Sequence, residues 1–156
     1  MAADASHFEC FSLALRVSFI ANNQKKLKTN VKPRGIVLAS TSPRRKALLE
    51  KLRLPMKVLP PLVNESKNVG ENAKRLVERL SAEKASSVRA DDDWLIIGAD
   101  TVVNLNEKVL GKPTSKKDGL LMLRELSGKV HKVHTGVSGF FNQNRKTFSI
   151  YLLCLI

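Results

Sequence analysis

Residues 35–49, GIVLASTSPRRKALL, constrain the fold of this chain more than any other stretch. A short β-branched and apolar run reads as a buried strand. It ends in Ser40, Thr41 and Ser42, and a helical pattern begins at once. Ser42 can cap that helix, Pro43 suits its first position, and Ala47, Leu48 and Leu52 supply an apolar face. Arg44 and Arg45 fall in the first turn, where the exposed N–H groups already carry partial positive charge. A bound anion would offset that repulsion. A strand that feeds a capped helix converges free N–H groups on one spot, and that spot attracts anions. The hydroxyls of Ser40, Thr41 and Ser42 can add donors there, and the two guanidinium groups suit phosphate oxygens. The plainer alternative is that both arginines project into water or pair with nearby carboxylates. Neither a Walker loop nor a GxGxxG turn is present.

The same punctuation continues along the chain. MKVLP reads as a second strand. A longer helix is expected from about Asn68 to Arg89, with Val69, Ala73, Leu76, Val77, Leu80 and Ala85 on its apolar face. DWLIIGAD reads as a buried strand that ends in Asp100. TVVNLNEKVLGKP reads as two short strands around a turn at Asn104 to Glu107. Thr114 or Ser115 caps a helix through Leu126, and Gly128 fits its C-terminal cap. KVHKVHTGVSG reads as an alternating strand. This order predicts an α/β layered domain. Three segments are expected: an N-terminal extension over 1–34, the organised domain over 35–138, and a tail over 139–156 with a strand-like apolar run.

Charge narrows the class of partner. A net charge of +13 over 156 residues points to polyanions: nucleic acid, an anionic membrane or phosphorylated small molecules. A nucleic-acid module draws no support from the aromatic content of 5% or from any RNA- or DNA-binding motif. No apolar stretch reaches the ~18 residues of a membrane span. The nearest, FECFSLALRVSFIA, is interrupted by Glu9 and Arg16. It fits a secretory signal poorly, whereas Arg16 and the lysines at 25, 26 and 28 leave organelle targeting open. Cys10 and Cys154 show no zinc spacing, and a reducing compartment is the simpler reading. The expected setting is therefore the cytoplasm.

A second candidate site centres on Asp100. In an open α/β sheet, ligands gather at the carboxyl ends of strands. An acid there can bind magnesium or position a water as general base, or it can merely cap a turn. Gly98 allows a close approach of backbone or ligand. Lys84 and Lys112, each taken alone, read as solvated surface charges. Glu65 follows the second strand, where a carboxylate could share a metal or be a plain loop acid. His131 and His134 read as alternating along one strand face, structural or exposed and not metal ligands.

Five blocks, LASTSPRRKALLEKL, RLSAEKA, IIGADTVV, LGKP and MLRELSGKVHKVHTGV, occur in an order and spacing that resembles the Maf family from Ile36 to Val137. These are nucleoside triphosphate pyrophosphatases, also labelled septum formation inhibitors. The resemblance implies a mixed twisted sheet flanked by helices, of the Maf and inosine-triphosphatase type, with a cleft between two lobes. It implies hydrolysis between the α and β phosphates of a nucleoside triphosphate with the help of a divalent metal, usually magnesium. By motif position, Ser40, Arg44, Arg45, Lys84, Thr101 and Lys112 match substrate-binding residues. Asp100 matches the general base or metal ligand, and Glu65 matches a further metal-binding acid. SPRR and ADT are similar to the branch acting on dTTP and UTP, unlike the SDQ of the 7-methyl-GTP branch.

The sequence after the TGV block departs from that pattern. The family continues into a second lobe that helps to close the base pocket and complete the sheet, whereas FFNQNRKTFSIYLLCLI does not resemble it. The expectation is a C-terminally truncated member with an incomplete second lobe. Activity on dTTP, UTP or modified nucleotides is expected, the alternatives being nucleotide binding without turnover and, less favoured, a basic nucleic-acid-binding module. A homodimer is left open.

Overall fold

The computed structural model describes residues 32–106, 108–142 and 144–155. The extension expected over 1–34 therefore lies, up to residue 31, outside the described residues, as do the FECFSLALRVSFIA segment and Cys10. Six strands form one sheet: β1 (Gly35–Ala39), β2 (Met56–Leu59), β3 (Trp94–Leu105), β4 (Lys108–Leu110), β5 (Val130–Phe141) and β6 (Asn144–Leu155). The described helices are α1 (Pro43–Glu50), α2 (Ala73–Ser86) and α3 (Lys116–Leu126). Strand order is β2-β1-β3-β5-β6, with β4 paired to β3. β1 runs parallel to β2 and to β3, while β4, β5 and β6 are antiparallel to their neighbours. The sheet is thus mixed, as an α/β reading of the sequence requires. No helix among the described residues is long and apolar enough to cross a membrane.

β1 is buried along its whole length, which is why it reads as continuously apolar and not alternating. Its two faces meet different layers. Ile36 and Leu38 pack with Leu49 of α1 and with Leu95, Ile97 and Ala99 of β3. Val37 and Ala39 pack with Val88 and Trp94, beside the end of α2. Farther along β3, Val102 packs with Ala73, Leu76, Val77 and Leu80 of α2. Because successive strand side chains alternate, the odd residues of β3 face α1 and the even residues face α2.

Two helices are shorter than the sequence pattern predicts. α2 begins at Ala73, because Asn72 caps it by accepting a hydrogen bond from the Arg75 N–H at 2.9 Å. Val69 falls in the loop before that cap and is fully exposed, so it contributes nothing to the apolar face. At the other end Ser87 is the C-cap, short of Arg89. α1 spans only eight residues, and its buried side chain is Leu49. Ala47 is exposed, and Leu52 lies past the helix end and is 42% exposed. A helix this short presents about one turn to the sheet, so three-residue spacing alone could not say which leucine it buries.

Candidate functional site

β1 and β4 pair with the same edge of β3 but leave a space between them. The β1 ladder ends at Ala39 opposite Gly98, and the β4 ladder begins at Val103 opposite Leu110. Residues 99–102 of β3 thus have β5 on one side and, among the described residues, no strand on the other. The chain leaving β1 turns into α1 at this notch. Asp100 is therefore not the last residue of its strand, as DWLIIGAD suggests in the sequence. It lies within the twelve-residue β3, at the carboxyl end of the parallel part of the sheet.

Thr101 carries the face toward α1. Ser42 caps the helix by accepting from the Arg45 N–H at 3.5 Å, and Pro43 occupies the first position. Ser40 is buried, and its Oγ accepts from the Ser42 N–H at 3.2 Å and from Arg45 Nη1 at 3.3 Å. Arg45 Nη2 then reaches across the notch and donates to Thr101 Oγ1 at 3.3 Å. Thr101 Oγ1 lies 3.1 Å from Thr135 Oγ1 on β5. Burial lowers the Arg45 pKa from its usual value and Arg44 adds to this, while Asp100 and Glu65 act in the opposite direction. The two arginines therefore separate: Arg45 is half-buried and bonded across the notch, and Arg44 is exposed.

Asp100 carries the face toward α2, and glycines bring that helix close. A Cβ on Gly98 would collide with the Ser81 carbonyl oxygen and lie 2.6 Å from the Ala85 N. One on Gly136 of β5 would collide with the Val77 carbonyl. The close approach that Gly98 suggests in the sequence is thus made by helix backbone. It seats Lys84, whose side chain is 5% exposed, against Asp100. Lys84 Nζ lies 2.6 Å from Asp100 Oδ1 and 2.7 Å from Glu65 Oε1. Glu65 Oε2 in turn takes Lys112 Nζ at 3.1 Å. The hydrogen bond from Lys84, reinforced by that from Lys112, holds the Glu65 carboxyl below its ordinary range. Asp100 Oδ2 is buried and, among the described residues, has no hydrogen-bond partner.

Ser40, Arg45 and Thr101 on one face, and Asp100, Lys84, Glu65 and Lys112 on the other, are thus linked around one notch, with Arg44 exposed at the start of α1. Lys84 is a buried ion-pair residue and not the solvated charge that its sequence context suggests, because α2 holds it against a carboxylate. Lys112, 86% exposed, does keep a surface position but is tied to Glu65. The histidines do not share a face: a spacing of three on a strand puts them on opposite sides. His131 is buried, and burial lowers the pKa of His134. Among the described residues no group of three or more His, Cys, Asp or Glu side chains could hold a metal ion. Thr135 escaped the sequence reading. Its only signal was membership of the strand VHTGV, since the partner that gives it meaning is 34 residues away.

The Maf-like protein family model matches residues 35–151. The dTTP/UTP pyrophosphatase of Ruminiclostridium cellulolyticum is 48% identical over 108 residues, covering 67% of this chain and 55% of that protein. The dTTP/UTP pyrophosphatase of Pelotomaculum thermopropionicum is 46% identical over 104 residues, covering 66% and 54%. That of Thermosipho africanus is 44% identical over 115 residues, covering 73% and 58%. The chain spans a little over half the length of these curated relatives. Among solved structures, the Staphylococcus aureus Ham1 protein overlays with a TM-score of 0.49 at 14% identity, covering 76% of this chain and 69% of that one.

Proposed function

The chain belongs to the Maf-like protein family, and on that premise we propose that it is a nucleoside triphosphate pyrophosphatase acting on dTTP, UTP or related nucleotides. The reaction is hydrolysis of the bond between the α and β phosphates, giving a monophosphate and pyrophosphate in a cytoplasmic nucleotide pool. The observation that carries this reading is the convergence at the notch. Arg45 is anchored from Ser40 to Thr101 on one face, and Lys84 grips Asp100 on the other. Arg44, Arg45, Lys84 and Lys112 against Asp100 and Glu65 leave a local charge of about +2. That complements a triphosphate with one divalent cation, roughly −2.

Each side chain has a part that its geometry supports. Arg45 and the N–H groups opening α1 bind phosphate oxygens, with Ser40 orienting the guanidinium. Arg44 and Lys112, both exposed, add charge at the rim. Thr101 contacts the nucleotide from the notch. Lys84 occupies Asp100 Oδ1, so Oδ2 is the oxygen left to act, either as base toward the attacking water or as ligand of a metal ion.

Magnesium is the cofactor proposed. An unpartnered buried carboxylate oxygen fits a hard cation, and the second carboxylate, Glu65, meets Asp100 at Lys84. Asp100 and Glu65 would hold the ion, which as a rule takes one or two carboxylates together with substrate phosphates. When bound, it supplies charge stabilisation on the phosphoryl oxygens.

The test is incubation of the purified chain with magnesium and a panel of nucleotides, with pyrophosphate and orthophosphate measured separately. Pyrophosphate from dTTP or UTP is expected. Orthophosphate alone, or no product with every nucleotide, contradicts the proposal, and calorimetric binding without product selects nucleotide binding without turnover.

A further inference from the structure

Thr101 stands opposite Thr135 in the β3–β5 register, and their hydroxyl oxygens are 3.1 Å apart. Thr101 Oγ1 also accepts from Arg45 Nη2 at 3.3 Å. A guanidinium can only donate, and a threonine hydroxyl has one hydrogen and two acceptor positions. The hydrogen of Thr101 therefore has two destinations. If Thr101 donates to Thr135, that hydrogen is spent inside the protein. If Thr135 donates to Thr101, both acceptor positions of Thr101 are filled, by Arg45 and Thr135, and its own hydrogen is left for a ligand. Thr101 is exposed at the notch and Thr135 is half-buried behind it. An anionic ligand in the notch needs the second arrangement, because an oxyanion only accepts.

We infer that Thr135 is a positioning residue: its hydroxyl donates to Thr101 and so fixes Thr101 as a hydrogen-bond donor to the nucleotide. This rests on the proposed nucleotide site and extends it by one residue, which reaches the ligand through another side chain. The chain of donors runs along a single face of the sheet, from Thr135 through Thr101 to the ligand, with Arg45 converging on the same Oγ1.

Two variants of the full chain separate positioning from structural support. Thr135→Val keeps the shape and β-branching but removes the hydroxyl, and Thr135→Ser keeps the hydroxyl. For Thr135→Val the KM for dTTP or UTP should rise about tenfold while kcat changes little, the pattern of a lost binding contact. Thr135→Ser should restore a KM within about twofold of wild type. A merely structural pair predicts a lower melting temperature for Thr135→Val with an unchanged KM. That outcome, or failure of Thr135→Ser to restore KM, overturns the inference while the pyrophosphatase reading stands. If wild type binds nucleotide without turnover, the pyrophosphatase reading fails and the Kd of Thr135→Val decides: about tenfold weaker supports the inference, and equal overturns it. A wild-type chain that binds no nucleotide overturns both.

Discussion

Asp100 and Thr101 are consecutive on β3 and serve opposite faces of the sheet: Asp100 takes Lys84 of α2 at 2.6 Å, and Thr101 takes Arg45 of α1 at 3.3 Å. The notch between β1 and β4 is where the two faces meet. Arg45 registers both carboxylates across it, since Asp100 and Glu65 each favour its charged form.

The Lys84–Asp100 pair is buried, so removing one partner should be costly. Lys84→Met leaves a buried carboxylate without a counter-charge and should destabilise the chain by about 3–5 kcal/mol in urea unfolding. The double variant Lys84→Met with Asp100→Asn should recover much of that loss. Lys112→Ala, at an 86% exposed side chain, should stay within about 0.5 kcal/mol of wild type. Equal effects of the two lysines would contradict the burial argument.

Gly98 should tolerate no side chain. Gly98→Ala must push α2 off β3 at Ser81 and Ala85, backbone that cannot give way locally. A loss of roughly 1–3 kcal/mol or more is expected, together with lost activity as Lys84 moves with the helix. Gly111→Ala, where a Cβ meets nothing within 4 Å, is the matched control and should be neutral to folding. Paired thermal melts read both, and a neutral Gly98→Ala would refute the close-approach account.

The two arginines of SPRR should behave differently. Arg44 is exposed at the start of α1, so Arg44→Ala should leave the free chain as stable or up to about 1 kcal/mol more stable, as dipole repulsion is relieved. Arg45 also bonds Ser40 and Thr101, so Arg45→Ala should lose about 1 kcal/mol or more. Both variants should show a smaller nucleotide-induced rise in melting temperature than wild type. An Arg44→Ala chain that keeps the full rise would remove Arg44 from the phosphate site.

Acid stability should depend on two glutamates. Glu71 is held below its ordinary value of 4.5 chiefly by the hydrogen bond from Arg79, and Glu65 by that from Lys84. With the folded pKa depressed, the unfolded chain takes up protons first as pH falls. The stabilisation is complete above about pH 5 and is lost below it as pH falls through the folded values. Urea unfolding between neutral and acid pH should therefore show a falling limb on the acid side, shallower in Glu71→Gln. An identical acid limb in that variant would contradict the assignment.

Much of this was legible in the sequence because local chemistry and tertiary structure agree there. The Ser42–Pro43 start of α1, the buried run of β1 and the hairpin of β3 and β4 each follow from residues within one short window. The family motifs placed Ser40, Arg45, Lys84 and Asp100 in one site before any geometry was known. What stayed hidden depends on distant partners. The sequence could not say that α2 buries Lys84, since the cause is a pair of glycines, Gly98 and Gly136, on two other elements. Nor could it extend the DWLIIGAD strand through Leu105, because the added length is held by β5, 28 to 34 residues downstream in the pairs Asn104↔Lys132 to Thr101↔Thr135. Thr135 is invisible for the same reason.

The central claim is tested most directly by Asp100→Asn assayed beside wild type with dTTP or UTP and magnesium. Wild type should release one pyrophosphate for each nucleotide consumed. Asp100→Asn keeps an oxygen to accept from Lys84 but loses the carboxylate that takes the proton of water. It should bind nucleotide within about threefold of wild type while pyrophosphate release falls by at least about a hundredfold. Undiminished pyrophosphate release by a folded, nucleotide-binding Asp100→Asn would contradict the account.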